Sequence, residues 1–294
     1  MASVGTTPRT GPESAPQSGE IRSADGTAIG YYQMGHGPPV ILLHGAGQSS
    51  QNLSTLARLL SDSFTVFVPD RRGRGRSGAY GEFRGLSSEI EDLSALLDVS
   101  GAHDVFGLSA GAVIALETAL VRPAITRLAL YEPPLSFDGV AHGQWVPRYE
   151  RKLAEGRPGA ALAAVLKGTA DRGPLRLVPR FLLGALLDLA INRATHRPAP
   201  PAASSPIDLI PTVRYDAQTV RDAAGPLQRF SKLTCDVLLL GGSRSAPNLT
   251  ASLDGLNAVL PHAEKVILHG VGHTAADNGS HPDRVAAELR RFFA

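Results

Sequence analysis

The stretch "VFGLSAGAVIALETAL", Val105 to Leu120, decides how this chain folds. It joins a short apolar strand to an apolar helix through Gly107-Leu108-Ser109-Ala110-Gly111. The small residues beside Ser109 permit a sharp, strained turn that lifts its hydroxyl above a sheet edge. Just past the turn, the N–H of Ala110 faces the place where an oxyanion would form on a carbonyl attacked by Ser109. The N-terminus of the helix adds to that field. Gly-x-Ser-x-Gly by itself is a common string, and a serine there can merely cap a helix. Set between a buried strand and an apolar helix, it reads as a nucleophile.

Working outward, short apolar runs alternate with helical patterns. Pro39–Gly45, Phe64–Asp70, His103–Gly107, Arg127–Glu132, Asp236–Gly242 and Glu264–Gly270 read as strands, apolar at nearly every position, as strands buried on both faces must be. Ser49–Ser61, Leu86–Val99, Ser109–Val121, Ala251–Leu260 and Pro282–Phe293 read as helices. Gly19–Gln33 reads as a hairpin turned at Asp25-Gly26. Strand alternating with helix predicts an α/β architecture with a mostly parallel sheet and helices on both faces. From Pro134 to Lys232 the rhythm breaks into helical patterns with a proline-rich link, Pro198–Pro206, which reads as an insertion. The expected division is a disordered tail over 1–18, a core over 19–134 and 232–294, and a helical cap over 135–231. The apolar Phe181–Ile191 stretch suits a pocket lining or core; a membrane-surface helix is the alternative.

Bulk properties exclude several classes. The chain has 294 residues, 43% hydrophobic and 19% charged, with a formal net charge of +2. That near-balance gives no electrostatic case for nucleic acid. Met1–Gly19 lacks the apolar stretch of a signal peptide, and no run of about 18 apolar residues occurs to span a membrane. A single cysteine, Cys235, cannot form an intrachain disulfide and reads as a buried, inert thiol; with these features a cytoplasmic location is expected. No metal-ligand spacing, dinucleotide fingerprint or P-loop occurs, so no metal and no cofactor is expected. A small-molecule substrate is the expected partner, and a homodimer is compatible with the sequence.

Two further stretches belong with Ser109. "LLHGAGQSS" places small residues after a strand, so that the backbone N–H of Ala46 can approach the same oxyanion; His44 there reads as structural, bonding loop backbone. "HGVGHTAADN" places His273 in a loop at the same sheet edge, where a general base is needed. His262 and His281 flank turns and read as solvated.

His44-Gly45-Ala46-Gly47, "PDRRGRGRSG" (Pro69–Gly78), Gly107–Gly111 and Gly272-His273, in this order and spacing, resemble the α/β-hydrolase superfamily over nearly the whole chain after the tail. The resemblance implies an eight-stranded sheet, a cap inserted after strand six, and a Ser–acid–His triad. It makes Arg71–Arg76 a loop after strand four rather than a phosphate site. Serine at the elbow, where a carboxylate nucleophile would be needed, speaks against haloalkane dehalogenase or epoxide hydrolase chemistry.

One departure stands out. The family usually carries its acid after strand seven, where this chain has Gly241-Gly242-Ser243-Arg244-Ser245. Asp236 begins that strand, at the wrong edge, and Asp254 reads as an exposed helix face. Glu132, ending strand six, is the better candidate. Neighbouring parallel strands lie about 4.8 Å apart, so its carboxylate emerges beside Ser109, and its extra methylene can reach His273. Haloalkane dehalogenases place their acid at this position. The alternative is a glutamate that only forms a salt bridge with the cap.

The expected activity is a serine hydrolase of carboxylic esters, lactones or thioesters acting through Ser109, His273 and Glu132, with Ala46 and Ala110 as the oxyanion hole. Trp145, Phe181 and Leu182, with Leu186 and Leu187, are expected to line an apolar substrate pocket. Two other readings stay open: acyl transfer, lyase or cyclase chemistry at the same site, and a ligand receptor without turnover.

Overall fold

The computed structural model describes residues 16–169, 177–195 and 204–294. Eight strands form one sheet: β1 (Gln17–Arg22), β2 (Ala28–Met34), β3 (Pro39–Leu43), β4 (Thr65–Pro69), β5 (Asp104–Leu108), β6 (Arg127–Tyr131), β7 (Asp236–Gly242) and β8 (Glu264–Leu268). Their spatial order is β1-β2-β4-β3-β5-β6-β7-β8. β1 pairs antiparallel with β2 through the tight turn at Asp25-Gly26, and β2 pairs antiparallel with β4. All later neighbours are parallel. This is the α/β-hydrolase fold, an eight-stranded, mostly parallel sheet flanked by helices.

The helices are α1 (Ser54–Leu60), α2 (Leu86–Ser100), α3 (Ala110–Val121), α4 (Val146–Ala154), α5 (Pro158–Thr169), α6 (Arg180–Thr195), α7 (Pro206–Leu209), α8 (Val213–Asp222), α9 (Pro247–Val259) and α10 (Pro282–Phe293). Strand alternation explains the layering. Ile41, Leu43, Val105, Leu128 and Leu239 point to one face and pack under α2, α3 and α9. Val40, Leu42, Phe106, Ala129 and Leu238 point to the other, under α1 and α10. Both faces are covered, so the central strands need apolar residues at every position.

Helices α4 to α8 lie in the chain between β6 and β7 and have a small core of their own around Tyr149, Ala161, Ile191 and Val213. Two boundaries and one burial differ from expectation. β1 begins at Gln17, inside the stretch read as a tail, because Gln17 and Ser18 pair with Gln33 and Tyr32. α9 begins at Pro247 rather than Ala251, with proline in the first turn, where its missing N–H costs no helical bond. Cys235 is half-buried rather than buried. Most of the expected tail, and residues 198–203 of the proline-rich link, lie outside the described residues. Among the described residues, no helix is long and apolar enough to cross a membrane.

Candidate active site

β5 ends at Leu108 and α3 begins at Ala110, so Ser109 alone makes the turn between them. It does so at φ 54° and ψ −117°. Ser109 and Glu132 (φ 48°) are the two non-glycine residues with positive φ among the described residues. They sit at the ends of adjacent strands, β5 and β6. Such a conformation costs on the order of 1–3 kcal/mol at each position and persists only where the surroundings hold it. Here the Ser109 N–H donates to the Tyr131 carbonyl at 2.9 Å, and the Glu132 N–H donates to the Leu240 carbonyl at 3.1 Å. Gly111 lets α3 approach the strand ends, since a Cβ there would lie 2.6 Å from the His44 carbonyl oxygen.

The Glu132 side chain is fully buried, and both of its oxygens have partners. Oε1 accepts the Gly242 N–H at 2.6 Å, and Oε2 lies 2.7 Å from His273 Nδ1. The other imidazole nitrogen, Nε2, lies 3.0 Å from Ser109 Oγ. A carboxylate can only accept, so it keeps the proton on Nδ1 and leaves the Nε2 lone pair toward the serine. The glycines that end β7, next to the place where an acid was missing, now have a physical explanation. A Cβ on Gly241 would stand 3.0 Å from Glu132 Oε1 and 2.5 Å from Leu253 Cδ1. A Cβ on Gly242 would stand 2.4 Å from the Val271 carbonyl oxygen, so the end of β7 is bare because Leu253, the Val271 carbonyl and the Glu132 carboxylate crowd it. The Tyr131 hydroxyl donates to the Gly272 carbonyl at 2.7 Å and steadies the loop that carries His273.

The loop after β3 presents three consecutive N–H groups. Gly45 N–H donates to Gln48 Oε1 (2.8 Å) and Gly47 N–H to Asp216 Oδ2 (2.9 Å). Between them, Ala46 N–H has no acceptor among the described residues, and neither does Ala110 N–H at the start of α3. His44 lines neither cavity described below. Its Nε2 accepts the Arg71 N–H, its Nδ1 donates to the Gly45 carbonyl, and it is fully buried. Burial, with Arg74 and Arg71 adding to it, holds its pKa well below the usual histidine range.

Arg71, Arg72 and Arg74 are buried in ion pairs. Arg71 meets Glu89 and Asp216, Arg74 meets Asp216, and Arg72 meets Asp92 and Asp25. Burial alone would raise the Asp216 pKa, but Arg74 and Arg71 outweigh it and hold it low. Asp216 comes from α8, so a carboxylate of the inserted helices fixes the loop that carries Ala46.

Ser109 and His273 stand between two cavities that share Ala46, Trp145 and Thr169. One, of about 280 Å³, is mainly apolar and includes Pro134, Val146, Val220 and Leu249. The other, of about 600 Å³, runs past Gln48, Leu166 and Asp277. Trp145 lines both. Phe181 and Leu182 line neither and correct the sequence reading: they are 79% and 44% exposed. The small residues of α6 decide this. Gly184 packs on Ala160 of α5, the Gly159 N–H donates to Asp188 Oδ1, and Leu183 and Ile191 turn inward, leaving Phe181 and Leu182 outside.

Sequence reasoning did not find Gln48, Asp216, Asp277 or Asn248, which line the cavities. No local pattern marks them. Gln48 Nε2 donates to Asp277 Oδ1 at 2.8 Å across 229 residues of chain. Burial, opposed by the Gln48 bond and by His273, pushes Asp277 up to about 6.

A family model described as "Alpha/beta hydrolase family" matches residues 40–288, and the chain belongs to that family. A crystal structure of an alpha/beta hydrolase from Sphaerobacter thermophilus DSM 20745 is 32% identical, with a TM-score of 0.73, covering 94% of this chain and 100% of that one. A pimeloyl-[acyl-carrier protein] methyl ester esterase from Xanthomonas campestris pv. campestris (strain B100) is 27% identical over 267 residues, 89% of this chain and 97% of that protein. The uncharacterized hydrolase YraK of Bacillus subtilis (strain 168) is 30% identical over 135 residues, 44% of this chain, and this match spans about half (49%) of that protein.

Proposed function

We propose that the chain is a serine hydrolase of carboxylic esters, lactones or thioesters with a small to medium apolar acyl group. The observation that carries this is the unbroken line from Glu132 Oε2 through His273 to Ser109 Oγ, 2.7 and 3.0 Å, opening on a mainly apolar cavity. Ser109 Oγ attacks the carbonyl carbon while His273 Nε2 takes its proton. Glu132 keeps His273 in the productive tautomer and stabilises the imidazolium. The N–H groups of Ala46 and Ala110 receive the oxyanion. Collapse expels the alkoxide or thiolate, which takes the proton from His273 and departs as the alcohol or thiol. Water, deprotonated by the same imidazole, then releases the acid. Of the two cavities, both lined by Trp145, the smaller takes the acyl group and the larger takes the leaving group. The esterase relative supports this reading of the reaction class.

The test is a fluorophosphonate probe read by intact mass, beside release of p-nitrophenol from short acyl esters. One adduct per chain on Ser109, with parallel loss of esterase activity, is expected. Ser109→Ala neither labels nor turns over. Turnover that diverts to ester exchange when an alcohol is added would move the reading to acyl transfer. No labelling and no turnover would overturn it.

A further inference from the structure

The acyl cavity is not wholly apolar, and its polar groups are ordered by a chain of hydrogen bonds whose directions can be worked out. Ser252, fully buried on α9, has its hydroxyl 3.2 Å from the Leu135 carbonyl and 3.1 Å from the Asn248 carbonyl. Carbonyls only accept, so the one proton of this hydroxyl goes to them. Its lone pair then accepts from His142 Nε2, 3.1 Å away. Burial first, and the nearby His273 second, push the His142 pKa down to about 4, so this imidazole carries one proton at neutral pH. That proton is on Nε2, which leaves Nδ1 as an acceptor, 3.1 Å from Asn248 Nδ2. The Asn248 amide is therefore fixed with its nitrogen toward His142 and its oxygen on the other branch.

Among the described residues nothing donates to that oxygen. His142 and Asn248 both line the cavity that holds Ser109 and His273. Apart from that of Ser109, the hydroxyls there meet backbone: Ser136 Oγ accepts the His142 N–H and Thr169 Oγ1 donates to the Val165 carbonyl.

We propose that Asn248 determines substrate specificity, its oriented Oδ1 accepting a hydrogen bond from the acyl part of the substrate, so that the protein prefers acyl groups bearing an N–H or O–H donor. This rests on the hydrolase reading above. His142 and Ser252 act as positioning residues that keep the amide from turning over. A carbon chain of the same length satisfies the apolar walls but leaves this oxygen without a donor.

The experiment compares isosteric p-nitrophenyl esters that differ by N–H against CH₂. The pairs are 3-acetamidopropanoate with 5-oxohexanoate, and 4-acetamidobutanoate with 6-oxoheptanoate. The native protein should prefer the amide in at least one pair by about tenfold in kcat/KM. Asn248→Leu should bring that ratio near one, read as amide against keto ester within the same variant. Asn248→Asp, which keeps an acceptor, should retain the preference. A native ratio near one in both pairs, with both esters turned over, overturns this proposal and leaves the hydrolase reading standing. A preference that survives Asn248→Leu also overturns it. Absence of turnover on all four esters, together with absence of fluorophosphonate labelling, removes both.

Discussion

Replacing Glu132 by glutamine tests the acid assignment more sharply than deleting it. The carboxylate accepts two hydrogen bonds, from the Gly242 N–H at 2.6 Å and from His273 Nδ1 at 2.7 Å. Glutamine has one oxygen and one NH₂ in the same space. If the oxygen stays with Gly242, the NH₂ faces His273 and moves the imidazole proton to Nε2, which then points a hydrogen at Ser109 and takes none. If the amide turns over, His273 keeps its tautomer, but two N–H groups are buried face to face at Gly242. Leaving those donors unsatisfied costs about 1–3 kcal/mol each, so the wrong tautomer is the cheaper state. In serine proteases, a carboxylate-to-amide change that imposes the wrong tautomer on the triad histidine lowers kcat about 10⁴-fold. A loss of about 10³- to 10⁴-fold, roughly 4–5.5 kcal/mol in the barrier, is expected here. The assay is the second-order rate of fluorophosphonate labelling by intact mass, with circular dichroism to verify the fold. A folded Glu132→Gln protein labelling within about threefold of the native rate would refute the tautomer argument, and the acid would then be sought at Asp254 or the site treated as a Ser–His dyad.

Three other outcomes follow from the geometry. Asp216→Ala leaves Arg71 and Arg74 buried with one carboxylate fewer; urea unfolding should show a loss of about 3–5 kcal/mol, and a loss under about 1 kcal/mol would mean the network is screened by solvent. Asp277 has a folded pKa of about 6 against an ordinary 3.8. Its raised value means that native protein holds the proton longer than unfolded chain, so its contribution to stability falls as pH rises from about 4 to 6. Asp277→Asn keeps the bond from Gln48 and should gain about 1–3 kcal/mol over the native protein above pH 6 and nothing below pH 4, measured as the difference in unfolding free energy across that window. Burial pushes the Cys235 thiol up to about 11 from 9.0. Its alkylation by iodoacetamide at pH 8 should be about 100-fold slower in native protein than in urea, and equal rates would contradict that shift.

What could be read from the chain alone was what neighbours in sequence determine. The Gly107–Gly111 turn, the doubly buried strands and the hairpin at Asp25-Gly26 are local patterns, and the sheet follows from them. Glu132 was within reach because β6 pairs with β5 and the two strands end side by side at Tyr131 and Leu108. α6 was not. Leucine and alanine are spread around its circumference, so nothing in its spacing says which side faces inward; the contact of Gly184 with Ala160 chooses, and it leaves Phe181 and Leu182 outside. The clamp on the oxyanion loop was also hidden. Asp216 meets Gly47 across 169 residues, and an aspartate on a polar helix gives no sign of a buried partner until the helix is docked.

The position of Glu132, the proposed acid, just past β6 has a consequence for redesign. The Glu132 carboxylate takes a hydrogen bond from the last residue of β7, the Gly242 N–H, and among the described residues none from the segment that follows. Ala246, Asn248 and Leu249, which lie in that segment, face the acyl cavity. A combinatorial library confined to these three positions would therefore vary the cavity wall while leaving Ser109, His273 and Glu132 untouched, a separation that a scaffold with its acid on that same segment does not offer.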